Sequence, residues 1–340
     1  MHYLITGGAG FIGSHLSELL LLGGHQVTIL DNLSTGRYEN VATLEAHPAF
    51  RFVKDTVLHT ELVERLVREC DQVFHLASAV GVKLIMERPV QTIENIFQGT
   101  DSVLSAAARY RKRFLLTSTS EVYGKSEDIP FREDGDRLEG PTHKHRWAYA
   151  ATKALDEFLA LAHWKESRLP VVVARLFNTV GPRQSGEYGM VLPSFVAAAL
   201  AGRELVVHGS GAQQRCFCHV QDVIAALAGL MNCPAALGGV FNVGSTREIS
   251  IRELAELVIR LTHSPSTMRF VSYEQAYGDG FEDMQRRVPS IEKIQSRIAW
   301  EPRYSLEQII EDVIRDLGQK RAGGEAGSRT RGSTSGGPGQ

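Results

Sequence analysis

Tyr149 and Lys153 occupy positions i and i+4 of a segment, 147–165, whose spacing of apolar residues predicts a helix. This spacing puts the two side chains on one face of the helix. A phenol ordinarily titrates near pH ~10 and is a poor base at neutral pH, but a neighbouring cation favours the phenolate. Thr119, in the hydroxyl-rich end of the preceding predicted strand, would hydrogen-bond the same substrate oxygen as Tyr149. These residues predict a site that removes a proton from a substrate hydroxyl group.

A glycine-rich turn near the start of the chain supplies the second chemical signal. It lies between an apolar run at 3–5 and a helical pattern at 11–20, and its spaced glycines are Gly7, Gly10 and Gly13. The first allows a tight turn, the second a close approach of backbone to a pyrophosphate, and the third close packing of the helix on the sheet. The free N–H groups of the helix N-terminus favour phosphate. The turn therefore predicts a dinucleotide site.

Asp31 indicates which dinucleotide is bound. It ends the next apolar run, 26–30, at the distance where an acid reaches the adenosine ribose hydroxyls. A carboxylate there repels a 2′-phosphate, which favours NAD over NADP. Arg37, beyond a Ser-Thr-Gly turn, offers an alternative contact to a 2′-phosphate. With NAD bound, the positive nicotinamide would join Lys153 in favouring the Tyr149 phenolate.

The elements that must position these residues alternate between strand and helix through the first half of the chain. Such alternation predicts an α/β protein with a Rossmann-type doubly wound parallel sheet, whose ligands bind beyond the carboxyl ends of the strands. We expect an NAD-binding domain over 1–178, with later segments returning to its sheet, and a smaller nucleotide-sugar-binding lobe over 179–318. A strand is predicted at 216–220. The Gly/Ser/Arg/Thr-rich segment 319–340 is predicted to be disordered.

Composition excludes several other classes of protein. The 340 residues carry a formal net charge of −2 with both signs interspersed, which gives no electrostatic argument for nucleic acid. No apolar run is long enough to cross a bilayer, and no signal peptide precedes the first strand, so we expect a cytoplasmic protein. Cys216, Cys218 and His219 lack further ligands at suitable spacing, so we expect reduced thiols and no metal site.

Several motifs in order give the chain a family resemblance over about residues 2–317. They are Thr6-Gly7-Gly8-Ala9-Gly10-Phe11-Ile12-Gly13, Asp31-Asn32-Leu33, His75-Leu76-Ala77, the run from Ser118 to Gly124, Tyr149/Lys153 and the run from Arg175 to Arg183. With them the chain resembles the extended short-chain dehydrogenases/reductases that act as nucleotide-sugar epimerases, dehydratases and decarboxylases. One departure is Ile96, at a place where the family usually has Asn.

The resemblance implies roles for particular residues. NAD would be bound by Gly7, Gly10, Phe11, Ile12, Gly13, Asp31, Asn32, Ser34, Gly36, Asp55, Leu76, Ala77, Thr117, Tyr149, Lys153 and Phe177. The catalytic residues would be Thr119, Ser120, Glu121, Tyr149 and Lys153. A UDP-sugar would be bound by Asn178, Arg183, Val191, Val207, Arg215 and Arg287. Within that set, Val207 and the segment 189–193 would line the uracil pocket, and Arg215 would pair with the diphosphate.

The same resemblance bears on the reaction. Dehydratases of the family carry Asp-Glu after the catalytic Thr, whereas this chain has Ser120-Glu121, as UDP-glucuronate decarboxylases do. The run 280–290, with Arg287 matching an arginine that meets the substrate carboxylate, is also typical of decarboxylases. The sequences of segments 140–147 and 177–184 instead resemble those of UDP-glucuronate 4-epimerases, such as the enzymes of moenomycin-type antibiotic pathways. We therefore expect a UDP-glucuronate 4-epimerase, with a decarboxylase or a UDP-glucose 4-epimerase as alternatives.

Two further expectations concern activity and assembly. A non-enzymatic NAD-sensing protein would be expected to lack Tyr149 or Lys153, and both are present. The helices predicted near 91–110 and 147–165 carry apolar residues beyond one core-facing stripe, and family members pair these helices between two subunits. We therefore expect a homodimer.

Overall fold

The computed structural model describes residues 1–78, 88–186, 190–277 and 282–331. The strands, in chain order, are β1 (His2–Thr6), β2 (Gln26–Asp31), β3 (Phe50–Lys54), β4 (Gln72–His75), β5 (Arg113–Thr119), β6 (Val171–Leu176), β7 (Thr179–Val180), β8 (Leu205–His208), β9 (Gln214–Cys216), β10 (Cys218–His219), β11 (Gly239–Val243), β12 (Glu248–Ser250), β13 (Met268–Val271) and β14 (Arg286–Arg287). The helices are α1 (Phe11–Leu22), α2 (Thr60–Glu69), α3 (Pro89–Arg109), α4 (Ala148–Ser167), α5 (Val191–Leu200), α6 (Val220–Asn232), α7 (Ile251–Thr262), α8 (Tyr273–Tyr277), α9 (Glu292–Ile298) and α10 (Leu306–Arg331).

A seven-stranded parallel sheet forms the centre of the molecule, in the order β11-β6-β5-β4-β1-β2-β3. Apart from the edge strand β3, its strands are mostly buried, as expected for a sheet that is covered on both faces. Helices α1, α6 and α9 cover one face, and α2, α3 and α4 cover the other. The predicted doubly wound α/β fold is confirmed.

The chain order reverses direction between β1 and β4, and this places the ligand crevice. From β1 the sheet grows through β2 and β3 to one side, and through β4, β5 and β6 to the other. In such sheets the crevice opens at the carboxyl ends of the strands where the order switches. The glycine turn after β1 and the hydroxyl-rich end of β5 both lie there.

A smaller apolar core joins α5, α7 and α10, all of which follow β6 in the chain. Helix α7 begins with a capping box, in which Ser250 and Glu253 satisfy each other's backbone N–H groups. Strand β9 lies between β12 and β14 in a three-stranded sheet, so the pairing brings Arg287 beside Arg215. This pairing joins two parts of the chain that sequence alone leaves far apart.

Two elements differ from the sequence-based expectation. The predicted strand at 216–220 is divided into β9 and β10, and Val220 begins α6 because the His219 side chain caps that helix by accepting from the Gln221 N–H. Helix α10 continues to Arg331, and so extends into the segment 319–340 that the sequence predicts to be disordered. The i, i+4 pair Lys320–Asp316 (2.7 Å) supports the helix at the start of that segment. Residues 332–340 lie outside the described part of the chain.

In the residues that the structure describes, no helix is long and apolar enough to cross a membrane. A search of the same residues finds no group of three or more His, Cys, Asp or Glu side chains arranged to hold a metal ion.

Candidate active site

A cavity of about 1220 Å³ opens at the carboxyl ends of the strands, between the main sheet and the smaller lobe. It brings together most of the residues that the sequence analysis selected. Those that line it are Gly7, Gly10, Phe11, Ile12, Gly13, Asp31, Asn32, Ser34, Gly36, Asp55, Leu76, Ala77, Thr117, Thr119, Ser120, Glu121, Tyr149, Phe177, Asn178, Arg183, Val191, Arg215 and Arg287. Lys153 and Val207 do not line it.

The glycine turn forms a cradle that a side chain would fill. Gly7 has a positive φ of 73°, and a Cβ on it would lie 2.8 Å from the Ala77 backbone nitrogen. A Cβ on Gly13 would collide with the Gly7 carbonyl. The bare backbone and the N-terminus of α1 therefore leave room for a pyrophosphate, and the residues present fit NAD.

Asp31 is held in place at the adenosine end of the cavity. Its carboxylate accepts hydrogen bonds from the Ala9 N–H (2.9 Å) and the Leu33 N–H (2.8 Å). Burial raises the pKa of this carboxyl, while these backbone bonds favour its charged form. Gly36 packs against the carboxylate, since a Cβ there would lie 3.0 Å from it, and Arg37 also lines this end. The acid is thus fixed where the ribose hydroxyls of NAD would lie.

Tyr149 lies at the opposite end of the cofactor region, largely buried at the start of α4. Burial raises the pKa of its phenol, and the negative charge of Glu121 adds to this effect. The hydroxyl groups of Ser78 and Thr119 act in the opposite direction. Thr119 thus lies beside the phenol, as predicted, while Ser78 is an addition that sequence reasoning missed.

Lys153 is buried behind the residues that line the cavity and does not line the cavity itself. Its ammonium group is buried and donates to Asp156 Oδ2 at 3.0 Å. We expected the Lys153 charge to act on Tyr149 directly, but Asp156 neutralises part of it, and Asp156 itself helps to raise the pKa of Tyr149. Neither the spacing nor the residue types distinguish this buried pair from an ordinary surface i, i+3 pair.

An ion-pair cluster lies beside Tyr149. Glu121 Oε1 accepts from Arg287 Nη2 at 2.6 Å, and Glu121 Oε2 lies 2.5 Å from Arg146 Nη1. Burial alone would favour the neutral acid, but these two guanidinium groups hold the pKa of Glu121 well below its usual range. Ser120, the neighbour of Glu121, also lines the cavity. The cluster makes Glu121 an acceptor that orients Arg287, and not a proton donor.

A second acid, Asp283, connects this cluster to the expected diphosphate end. Its Oδ2 accepts from Arg215 Nη2 at 2.8 Å and from the Tyr273 hydroxyl at 3.2 Å, and its Oδ1 lies 3.9 Å from Arg146. The preceding Glu282 accepts from Trp147 Nε1 at 3.1 Å, which fixes this segment against the start of α4. Arg146, Tyr273 and Asp283 were not in the predicted site, because their partners are remote in sequence.

Three of the other residues predicted to bind the UDP-sugar also line the cavity, but two of those three already have polar partners within the protein. Asn178 lines the cavity while its amide donates to the Cys216 carbonyl (2.9 Å), and the Arg183 guanidinium is already paired with Glu18 (2.5 Å). Val191 lines the cavity at the start of α5.

Val207 was predicted to line the uracil pocket, and the structure corrects that prediction. It lies in the core of the smaller lobe, whereas its neighbours Val206 and His208 face the cavity, because alternate residues of a strand face opposite sides. Gly189, Gly280 and Phe281, which belong to segments singled out in the sequence, lie outside the described residues.

Comparisons with known proteins agree with this geometry. The UDP-N-acetyl-alpha-D-glucosaminuronate decarboxylase of Bacillus cytotoxicus is 42% identical over 312 residues, 92% of this chain and 96% of the relative. UDP-glucuronic acid decarboxylase 1 of Xenopus tropicalis is 39% identical over 311 residues, 92% of this chain and 70% of the relative. The crystal structure of UDP-glucuronic acid 4-epimerase from Bacillus cereus, in complex with UDP-glucuronic acid and NAD, matches with a TM-score of 0.85 and 26% identity, covering 94% of this chain and 100% of that one.

The family match extends over nearly the whole chain. Residues 4–313 match the family described as GDP-mannose 4,6 dehydratase. This range contains the glycine turn, Asp31, Thr119, Tyr149 and Arg287, and so confirms the resemblance drawn from those motifs. The chain belongs to this family of extended short-chain dehydrogenases/reductases.

Proposed function

We propose that the chain is an NAD-dependent decarboxylase of a UDP-linked uronic acid. The observation that carries the proposal is Arg287, whose buried guanidinium lies in the cavity wall and is oriented by Glu121 next to Tyr149. Its Nε is buried and finds no acceptor among the described residues. A buried donor of this kind calls for an anionic partner, and a substrate carboxylate supplies one.

The expected chemistry uses the cavity from one end to the other. Arg215 and Asn178 would hold the diphosphate, and Tyr149 as phenolate would take the proton from the sugar O4. Bound NAD would supply the acceptor for the C4 hydride and the donor for its return. In the 4-keto uronate, the bond from C5 to the carboxylate breaks, CO2 leaves, and its electron pair moves to the ketone oxygen. The Tyr149 phenol would donate a proton to that oxygen, and a proton from solvent would add at C5.

A UDP-glucuronate 4-epimerase, which the sequence motifs favour, is the second candidate. It is supported by the likeness to the epimerase of Bacillus cereus, at 26% identity. We place it second because relatives at 42% and 39% identity over most of the chain are named as decarboxylases. Both reactions share the oxidation at C4 and differ in whether the carboxylate bond aligns with the ketone.

One experiment separates the candidates. Purified protein is incubated with NAD and, in separate reactions, with UDP-glucuronate, UDP-N-acetylglucosaminuronate and UDP-glucose, and products are followed by mass spectrometry and NMR. We expect a UDP-sugar product lighter by one CO2 from at least one uronate. An isomer of unchanged mass would replace the decarboxylase with the epimerase, and turnover of UDP-glucose alone would reject the uronate site.

A further inference from the structure

A continuous chain of buried polar groups leads from the catalytic helix into the sheet. Lys153 Nζ donates to Asp156 Oδ2 (3.0 Å), and Thr100 Oγ1 donates to the same oxygen (2.9 Å). His75 Nε2 lies 3.1 Å from Thr100 Oγ1, and His75 Nδ1 lies 2.8 Å from Thr6 Oγ1. All five residues are at most 2% exposed. No step in the proposed reaction uses Asp156, Thr100, His75 or Thr6.

The chemistry of the donors fixes the direction of this chain. An ionised carboxylate only accepts hydrogen bonds, so the Thr100 hydroxyl must donate to Asp156. The Thr100 oxygen is then free to accept from His75 Nε2–H. Burial, together with the charge of Lys153, lowers the pKa of His75 to about 3, so the imidazole is neutral and its Nδ1 carries no proton. His75 Nδ1 therefore accepts from the Thr6 hydroxyl.

The far end of this hydrogen-bond chain reaches the cofactor turn, residues 76–78, which follow β4 and lie against the glycine turn. The Ala77 backbone N–H donates to Thr6 Oγ1 at 3.4 Å, and Ala77 packs against Gly7 and lines the cavity. Burial raises the pKa of Asp156, but the Lys153 ammonium and the Thr100 hydroxyl favour its charged form. The carboxylate is thus the acceptor on which both branches end, one from Lys153 and one from the cofactor turn.

We propose that Asp156 is a positioning residue: it holds the Lys153 ammonium behind Tyr149, offsets its charge, and through Thr100, His75 and Thr6 ties it to the cofactor turn at Ala77. The proposal rests on the proposed function in taking Tyr149 as the base. Asp156 touches no reacting atom, and acts through Lys153 and through the field at Tyr149.

The charges that act on Tyr149 decide the sign of the expected effect. They are Glu121, from the turn after β5, and Asp156, from its own helix; Lys153 pairs with Asp156, and Arg146 and Arg287 pair with Glu121. Asp156→Asn removes one of the two negative charges that raise the pKa of Tyr149 and so favours the phenolate. An activity that needs the phenolate rises with pH. Because Asp156→Asn favours the phenolate, the rising limb of the pH profile of kcat should move to lower pH.

The test compares Asp156→Asn with the wild-type holoenzyme in the pH dependence of kcat for the uronate that is turned over. Asn keeps the shape and an acceptor oxygen, and we expect the rising limb to move down by about 0.5 pH unit or more. Thr100→Val, the control, breaks the chain but leaves the Lys153–Asp156 pair, so its limb should stay in place. A limb that does not move in Asp156→Asn, or moves to higher pH, would overturn the proposal.

A second measurement needs no turnover. Histidine labelled with ¹⁵N in the NAD-bound protein should show His75 as the neutral tautomer protonated on Nε2, and Thr100→Val should alter that signal. Protonation on Nδ1 instead would reverse the direction of the hydrogen bonds at His75, and this result would reject the proposed hydrogen-bond chain. If no uronate reacts at all, the proposed function fails, while this spectrum still decides whether the chain exists as described.

Discussion

Arg286 and Arg287 are neighbours in sequence with opposite surroundings. Arg286 is exposed and pairs with Glu248 (2.6 Å), whereas Arg287 is buried and pairs with Glu121 (2.6 Å). They differ because successive side chains of a strand face opposite sides of the sheet. The sequence motif selected Arg287, but only the pairing of β14 with β9 separates its environment from that of Arg286.

This contrast supplies the first prediction. Arg287→Ala should lower kcat/KM for the uronate by roughly 10- to 150-fold, because a hydrogen bond to a charged group contributes about 1.5–3 kcal/mol. Binding of UDP alone, measured by calorimetry, should change far less, since UDP carries no carboxylate. Arg286→Ala is the matched control and should stay within about twofold of wild type. Unchanged uronate kinetics in Arg287→Ala would mean that the carboxylate is bound elsewhere.

Tyr149 gives the second prediction. Tyr149→Phe removes one hydroxyl group and little volume, so the fold and NAD binding should persist while turnover falls by at least about 10²-fold. Product formation, NAD binding and the melting temperature would be measured together. Tyr123→Phe is the control: its buried hydroxyl donates to Asn242 (2.8 Å) away from the cavity lining, so its loss should reduce stability more than turnover. Full activity in Tyr149→Phe would reject Tyr149 as the base.

At the scale of the element, local patterns predicted the glycine turn and the acid that follows β2. Both depend on neighbours within one βαβ unit, so spacing alone places them. The same local reasoning could not find the Arg215–Asp283 pair, which joins positions 68 apart in sequence. It also placed Val207 on the wrong side of β8, since a short apolar strand does not reveal which of its faces is covered.

The third prediction tests the turn as an element. Gly7 and Gly24 both have positive φ, 73° and 75°, but a Cβ on Gly24 meets nothing within 4 Å, whereas one on Gly7 meets the backbone at Ala77. In both Gly7→Ala and Gly24→Ala, backbone strain should lower the free energy of unfolding by about 1–2 kcal/mol. Only Gly7→Ala should also weaken NAD binding, measured by calorimetry. Equal NAD affinity in the two variants would show that the cradle does not bind the pyrophosphate.

At the scale of the whole molecule, the chain crosses between its two cores more than once. The smaller lobe begins after β6, but two later elements belong to the central sheet. Helix α6 packs on one face of that sheet, and β11 pairs with β6 within it. The alternation of strands and helices predicted the central sheet, and the sequence predicted a smaller lobe over 179–318 but not the pairing of the strands in that lobe. Its short strands pair across long separations, and two- or three-residue strands carry little periodicity.

Helices α3 and α4 pack on each other and leave four large apolar side chains exposed in the single chain, and this exposed set, the α3–α4 face, leads to the last prediction. On α4, Phe158 is 61% and Leu155 48% exposed; on α3, Val90 is 67% and Ile93 41% exposed. Large exposed side chains grouped on packed helices mark protein–protein contacts more often than free surface. We expect two copies to pair through this face as a homodimer, observed by light scattering at micromolar concentration.

Charge placed within that face should separate the copies. Phe158→Glu buries an unpaired carboxylate if the dimer forms there, a cost of several kcal/mol that a paired surface does not tolerate. The control is Leu22→Glu, a change of the same kind at the end of α1, where the side chain is 87% exposed and outside the face. We expect Phe158→Glu to scatter as a monomer and Leu22→Glu as a dimer. A wild-type monomer, or a Phe158→Glu dimer, would reject this face as the interface; because the cavity is built within one chain, the monomeric variant should still bind NAD.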